Sequence, residues 1–141
     1  MSSCYRYLEE TLMTADRLEI LLQIYDGCIN FMHLAIAGLK KNDIPAFCKY
    51  LLKAQDCVVE LANTLDYSVD PDLCDKLHKV YYAVLNLLTE ANLTKQEKYI
   101  LASIKCIEKL ASAYREVGAK FKNTSTEQSN DEISLEFKFD F

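Results

Sequence analysis

Asp75-Lys-Leu-His78 places a carboxylate and an imidazole three residues apart, on one helical face. Such a pair is half of what a helical bundle needs to hold two metal ions, where Glu-x-x-His motifs come in twos. The other half is missing. The chain has two histidines, His33 and His78, too few for an acid–base or nucleophilic relay to assemble easily. Six cysteines (Cys4, Cys28, Cys48, Cys57, Cys74, Cys106) include no C-x-x-C pair and no Cys–His spacing suited to zinc. Five of them fall inside helical patterns, where a free cysteine serves as a small apolar side chain in a reducing compartment. No Gly-rich phosphate loop occurs. The expectation is therefore no catalysis, no metal and no cofactor, with residues 75–78 a solvated helix face.

The remaining chemistry is that of apolar surface. Gly27 lies in the middle of YDGCINFMHLAI, residues 25–36, otherwise a good amphipathic helix. Glycine there costs about 1 kcal/mol relative to alanine, so it needs a reason. Ile20, Ile24, Phe31 and Leu34 form an apolar row beside it, behind a first row made of Leu18, Leu21, Leu22, Tyr25, Ile29, Met32, Ile36 and Leu39. Only Glu19, Gln23, Asp26, Asn30 and His33 make a polar strip. A rim helix of a simple bundle needs one apolar face, and this one has material for nearly two. Tyr50 and Cys57 repeat the surplus more weakly in the next helix. Two readings stand side by side. In one, the helix is central and Gly27 admits a close neighbour. In the other, the surface is a groove for a partner's helix, and such a patch needs a cover while empty.

The elements that carry these residues read as four helices. The first runs from about Asp16, an N-cap, to Lys41. Asn42-Asp43 with Pro45 mark stop and restart, and the second helix reaches about Leu65 with Phe47, Leu51, Ala54, Val58, Leu61 and Leu65 on one side. Asp70-Pro71 starts the third, with Leu73, Leu77, Val80, Tyr81, Val84, Leu88 and Ala91. Thr94 and Glu97 suggest a capping box for the fourth, whose stripe is Ile100, Ile104, Ile107, Ala111 and Tyr114, with Gly118 as C-cap or the helix running on to about Lys122. Short turns between long helices predict an all-α fold, an antiparallel four-helix bundle. Residues 1–15 read as an N-terminal cap segment, 16–122 as the bundle, and 123–141 as a flexible acidic linker and tail. In that tail Ile133, Leu135, Phe137, Phe139 and Phe141 alternate with polar residues, a period-two pattern that needs something to dock on.

Net charge is -5 over 141 residues. Residues 123–141 hold five acidic residues and one lysine, so most of that charge sits there. No basic patch points to nucleic acid. No apolar run resembles a signal peptide or approaches the roughly 20 residues of a membrane span, so the expected location is the cytoplasm.

Three stretches together resemble the FliS family of flagellar export chaperones. TADRLEILLQIYDGCINF (14–31) is similar to its first helix, with Tyr-Asp-Gly and Ile-x-Phe; KAQDCVVELANTLD (53–66) resembles the end of its second; LLTEAN (87–92) resembles the end of its third. Order and spacing agree over about residues 5–118. Asp16-Arg17 stands where Ser-Pro is usual, and Tyr114 where many members have Trp. The resemblance implies a chaperone that binds the disordered C-terminal segment of flagellin as helices in apolar grooves, prevents its premature polymerisation, and hands it to a flagellar export gate component. It also implies that the chaperone's own N-terminal segment occupies part of the surface until flagellin displaces it. The partner contacts expected are Ile20, Ile24, Gly27, Phe31, Tyr50 and Cys57, and the displaceable cover Tyr5, Tyr7 and Leu8. An adaptor for an amphipathic helix of some other protein is the alternative.

Overall fold

The computed structural model describes residues 15–127. Four helices follow one another: α1 (Ala15–Lys40), α2 (Ile44–Asn63), α3 (Pro71–Thr94) and α4 (Glu97–Glu127). Each packs chiefly on two neighbours, α1 on α2 and α4, and α3 on the same two, so the helices close a ring around one core. Neighbours run antiparallel: Phe31 meets Tyr50 while Gly38 meets Phe47, and Tyr25 meets Tyr114 while Lys40 meets Glu97. The all-α, up-and-down bundle is as the three- and four-residue spacings predict.

Local chemistry sets the joints. Asp43 caps α2, its Oδ1 accepting from the Ala46 N–H at 3.2 Å, and Asp70 caps α3 by accepting from the Leu73 N–H at 3.1 Å. Proline sits within the first two positions of both helices, where its missing N–H costs nothing. The capping box at Thr94 does not form. Thr94 ends α3 and its hydroxyl donates back to the Glu90 carbonyl at 2.8 Å. Lys95, at φ 56°, makes the turn in the left-handed region, and its N–H donates to the Ala91 carbonyl at 2.8 Å. Glu97 is thereby free to pair with Lys40 of α1 at 3.5 Å.

Two helix ends differ from expectation. Asp16 is already helical rather than a cap, and α4 continues through 123–127, which the polar sequence assigns to the linker. That stretch has no proline or glycine to stop it, so a helix anchored by packing upstream runs on. Gly118 is accordingly not a C-cap. It is buried, and a Cβ there would strike the Leu18 side chain of α1.

The core follows the predicted stripes. Phe47, Leu51, Ala54, Val58 and Leu61 of α2, and all seven predicted residues of α3, are buried, as are Ile100, Ile104, Ile107, Ala111 and Tyr114 of α4. Cys28, Ala35, Cys74 and Leu110 join them. Leu22, Ile29, Leu39 and Leu65 pack at its edge, half-buried. At the centre Tyr25, fully buried, shares its hydroxyl with that of Tyr81 and packs its ring on Tyr114 at 5.5 Å. Burial, then the neighbouring Tyr81 and Tyr114, pushes the Tyr25 hydroxyl well above the usual range.

One correction concerns α1. Leu18–Lys40 is long and apolar enough, by length and composition, to cross a membrane. Its apolar content is that of a core helix with a second greasy row. Tyr25, Cys28 and Met32 are wholly buried among the other helices, while Asp26, on the polar strip, pairs with Arg115 of α4.

Candidate functional site

Tyr25, Asp26 and Gly27 are consecutive, and a helix turns by about 100° per residue. Each therefore addresses a different neighbourhood. Tyr25 enters the core. Asp26 reaches the Arg115 guanidinium of α4. Gly27 turns to the outer seam between α1 and α2, where an added Cβ would meet no described atom within 4 Å. The reading in which Gly27 admits a close helix neighbour is thus not what the described residues show.

Along that seam Ile20, Ile24, Gly27 and Phe31 rise in steps of four, three and four, a single face of α1. Ile20 is 58% exposed, and Ile24, Gly27 and Phe31 are half-buried. Across from them, Tyr50 and Cys57 of α2 are half-buried too. The Phe31 and Tyr50 rings stack with centroids 6.3 Å apart and planes inclined by 20°. Of the six expected contacts, Phe31 and Tyr50 meet across the α1–α2 seam, and the other four lie on the same two helices. The lead-in residues Tyr5, Tyr7 and Leu8, the tail, and Cys4 lie outside the described residues.

Beneath the seam lies a buried thiol, and at its turn end the two helices come close. The thiol is that of Cys28, 3.6 Å from the Ala54 carbonyl. Cys28 also hydrogen-bonds Cys57; that contact, followed by burial, holds the Cys28 thiol well above the usual range and lowers Cys57. At the far end the same face reaches Gly38, where a Cβ would stand 2.9 Å from the Phe47 nitrogen and 3.3 Å from the Asp43 carbonyl oxygen. One glycine lets the two helices touch; the other leaves an open notch about three turns back, near the middle of the row.

The rim carries cations that the sequence pattern did not single out. Lys53 Nζ lies 5.5 Å from the Phe31 ring centroid and Lys49 Nζ 5.3 Å from that of Tyr50. A second apolar area also escaped notice. Leu52 and Val59, seven apart on the other side of α2, are 59% and 46% exposed, with Asp56 between them, and Tyr82 of α3 is 61% exposed. His78 and Asp75 are exposed, and Asp75 pairs with Lys79 at 3.2 Å. Among the described residues no three His, Cys, Asp or Glu side chains cluster as a metal site.

A four-helix ring is the fold that the resemblance implies, and the comparison with known families decides the membership. The model of the flagellar protein FliS family matches residues 1–121. The chain belongs to the FliS family. Similar proteins include the flagellar secretion chaperone FliS of Bacillus subtilis (strain 168), 29% identical over 98 residues, which are 70% of this chain and 71% of that protein. The FliS chaperone of Campylobacter jejuni (serotype O:6) is 28% identical over 99 residues, 70% of this chain and 77% of its own. That of Vibrio cholerae (El Tor Inaba N16961) is 22% identical over 116 residues, 82% and 85% respectively. As a FliS chain, this protein is a member of a flagellar chaperone family.

The thiols of this FliS chain supply a direct report on the groove. Alkylation proceeds through the thiolate, so a lowered pKa speeds it at neutral pH. Cys57 is lowered by its bond from Cys28, whereas burial raises Cys106. Brief iodoacetamide treatment followed by peptide mass analysis should show Cys57 labelled several-fold faster than Cys106. Equal rates would mean that the Cys28–Cys57 contact does not persist in solution.

Proposed function

We propose that this protein is a cytosolic flagellar secretion chaperone whose α1–α2 groove binds the disordered C-terminal segment of flagellin as a helix. The observation that carries the reading is the open notch at Gly27 within the apolar row Ile20, Ile24 and Phe31. An amphipathic helix laid in the groove would bring its own backbone close at Gly27 and set its apolar side chains against Phe31, Tyr50 and Cys57. Tyrosine and phenylalanine suit such a surface, giving wide contact at little cost in conformational freedom. Residues 1–15, with Tyr5, Tyr7 and Leu8, would cover the groove until flagellin displaces them. Residues 16–122 form the chaperone domain in this reading, with 123–141 appended to it.

Ordering a disordered client costs several kcal/mol, offset by burial of roughly 1,000–3,000 Å². Covered in that way, the flagellin segment could not assemble before it reaches the export gate.

Calorimetric titration with a flagellin C-terminal peptide tests this. Binding at micromolar concentration or below is expected, with a negative heat-capacity change and a gain in helix. No heat and no helix at micromolar concentrations would end the flagellin reading and leave an adaptor for another protein's helix. Occupancy of the groove should also slow Cys57 alkylation while leaving Cys106 unaffected.

A further inference from the structure

Two thiols face each other across the α1–α2 seam, one reachable and one sheltered. We propose that Cys28 and Cys57 are an oxidation-sensing pair, which a peroxide closes into a disulfide joining α1 to α2. Formation of the bond stands apart from the function proposed above; only its effect on the partner helix rests on that function.

Register brings them together. The two helices run antiparallel, so a step back along one matches a step forward along the other. From the stacked pair Phe31 and Tyr50, one turn back along α1 leads to Cys28, and one turn forward along α2 leads to Ala54. The Cys28 thiol lies 3.6 Å from the Ala54 carbonyl oxygen. Cys57 follows Ala54 by three residues, on the same face, and is in hydrogen-bonding contact with Cys28. Gly38 beside Phe47 fixes the same register from the other end. A disulfide requires Cα atoms within about 7 Å of each other, which packed helices grant only to residues facing across a seam. The remaining described thiols lie elsewhere: Cys74 at 3.3 Å from the Asp66 carbonyl, Cys48 exposed near the start of α2, and Cys106 on α4.

The two thiols differ as a sensing pair must. Cys28 is wholly buried, whereas Cys57 is half-buried at the edge of the seam. The bond from Cys28 lowers the Cys57 thiol, against the pull of burial and of Glu60 and Asp56, with Lys53 helping. A thiolate that solvent reaches is the form that peroxides oxidise. The Cys57 thiolate attacks one peroxide oxygen. The O–O bond breaks, leaving a sulfenic acid on Cys57 and a hydroxide, which takes up the proton that Cys57 gave. Cys28 then attacks the sulfenic sulfur. The S–S bond forms, the S–O bond breaks, and the hydroxyl leaves with the Cys28 proton as a second water. Two thiols lose two electrons, and one hydrogen peroxide gains them. A dithiol reductant reverses the bond, so in a reducing compartment it would be transient.

Closure draws the Cys57 sulfur inward against Cys28 and ties together the two helices that form the seam. A partner helix that uses Cys57 as a contact loses it, and one that needs the helices to ease apart meets a staple. Binding to the oxidised form should therefore be weaker. By linkage, a bound partner should disfavour the disulfide to the same degree.

The full-length protein, treated with a small excess of hydrogen peroxide, quenched with N-ethylmaleimide and digested unreduced with trypsin and Glu-C, tests the pair by peptide mass analysis. The Cys28 peptide joined to the Cys57 peptide is the expected product, with circular dichroism unchanged. Closing a loop of about 30 residues should raise the thermal midpoint by about 10 °C, and dithiothreitol should reverse both changes. Cys28→Ser, which keeps a donor but cannot form the bond, should leave Cys57 as a sulfenic acid that dimedone traps. No linked product, Cys57 joined to any other thiol, or a link found only in covalent dimers overturns the proposal. So does a link that forms only as helix is lost, or oxidation of Cys106 as fast as that of Cys57. Titration of a flagellin C-terminal peptide into the reduced and oxidised forms reads the consequence, and several-fold weaker binding to the oxidised form is expected. Equal affinity refutes the effect on the partner and leaves the pair standing. No binding to either form, with the linked product present, refutes the proposed function alone.

Discussion

Gly38→Val should destabilise the protein by about 3 kcal/mol, the upper part of the range for forcing side-chain atoms into a filled site. The added Cβ would stand 2.9 Å from the Phe47 nitrogen and 3.2 Å from its Cα. These are backbone atoms in the first turn of α2, and the Asp43 cap and the short turn fix them. They cannot step aside as a side-chain tip would. Relief requires α1 and α2 to part where they are closest, which also loosens Phe47 in the core. At roughly 2–4 °C per kcal/mol for a chain of this size, the thermal midpoint should fall by about 10 °C. An unchanged midpoint would mean that the two helices do not meet at Gly38 as described.

The same residue type eleven positions earlier should behave in the opposite way. Gly27→Leu introduces no contact closer than 4 Å at its Cβ among the described residues, and it removes a glycine from a helix interior, a gain of up to about 1 kcal/mol. Thermal stability should hold or rise. Binding of the flagellin peptide should fall by about 2–3 kcal/mol, some 30- to 150-fold, because the new side chain fills the notch where the two backbones approach. Calorimetry on both variants separates the cases. A large stability loss with unchanged affinity would make Gly27 a packing residue and remove the main support for the groove. Gly27→Ala serves as the intermediate, with a smaller loss of affinity and a comparable gain in stability.

That contrast marks what a sequence can disclose here. The three- and four-residue spacing of Leu73, Leu77, Val80, Val84, Leu88 and Ala91 has one physical solution, a buried helical stripe, and so the core of α3 was legible apart from Cys74. The surplus row Ile20, Ile24 and Phe31 was legible for the same reason: more apolar positions than one face can hold. The three glycines were not separable in this way. Gly27 faces open space, Gly38 the backbone of α2, and Gly118 the side chain of Leu18, and only the packing of the helices tells them apart. The Thr94–Glu97 box failed because a left-handed Lys95 closes α3 more tightly than a Thr cap would allow. The placement of Lys53 over Phe31, and the contact of Cys28 with Cys57, depend on register between helices, which no local pattern encodes.

Tyr25, Asp26 and Gly27 look in three directions from three adjacent positions. A substitution at any one of them disturbs one neighbourhood and spares the other two. Losing or gaining a single residue between Ile20 and Gly27 would instead rotate everything on one side of the change by more than a quarter turn. The core tyrosine, the anchor to Arg115 and the notch would then all miss their marks together. The spelling of this helix is free to drift, therefore, in a way that its count is not.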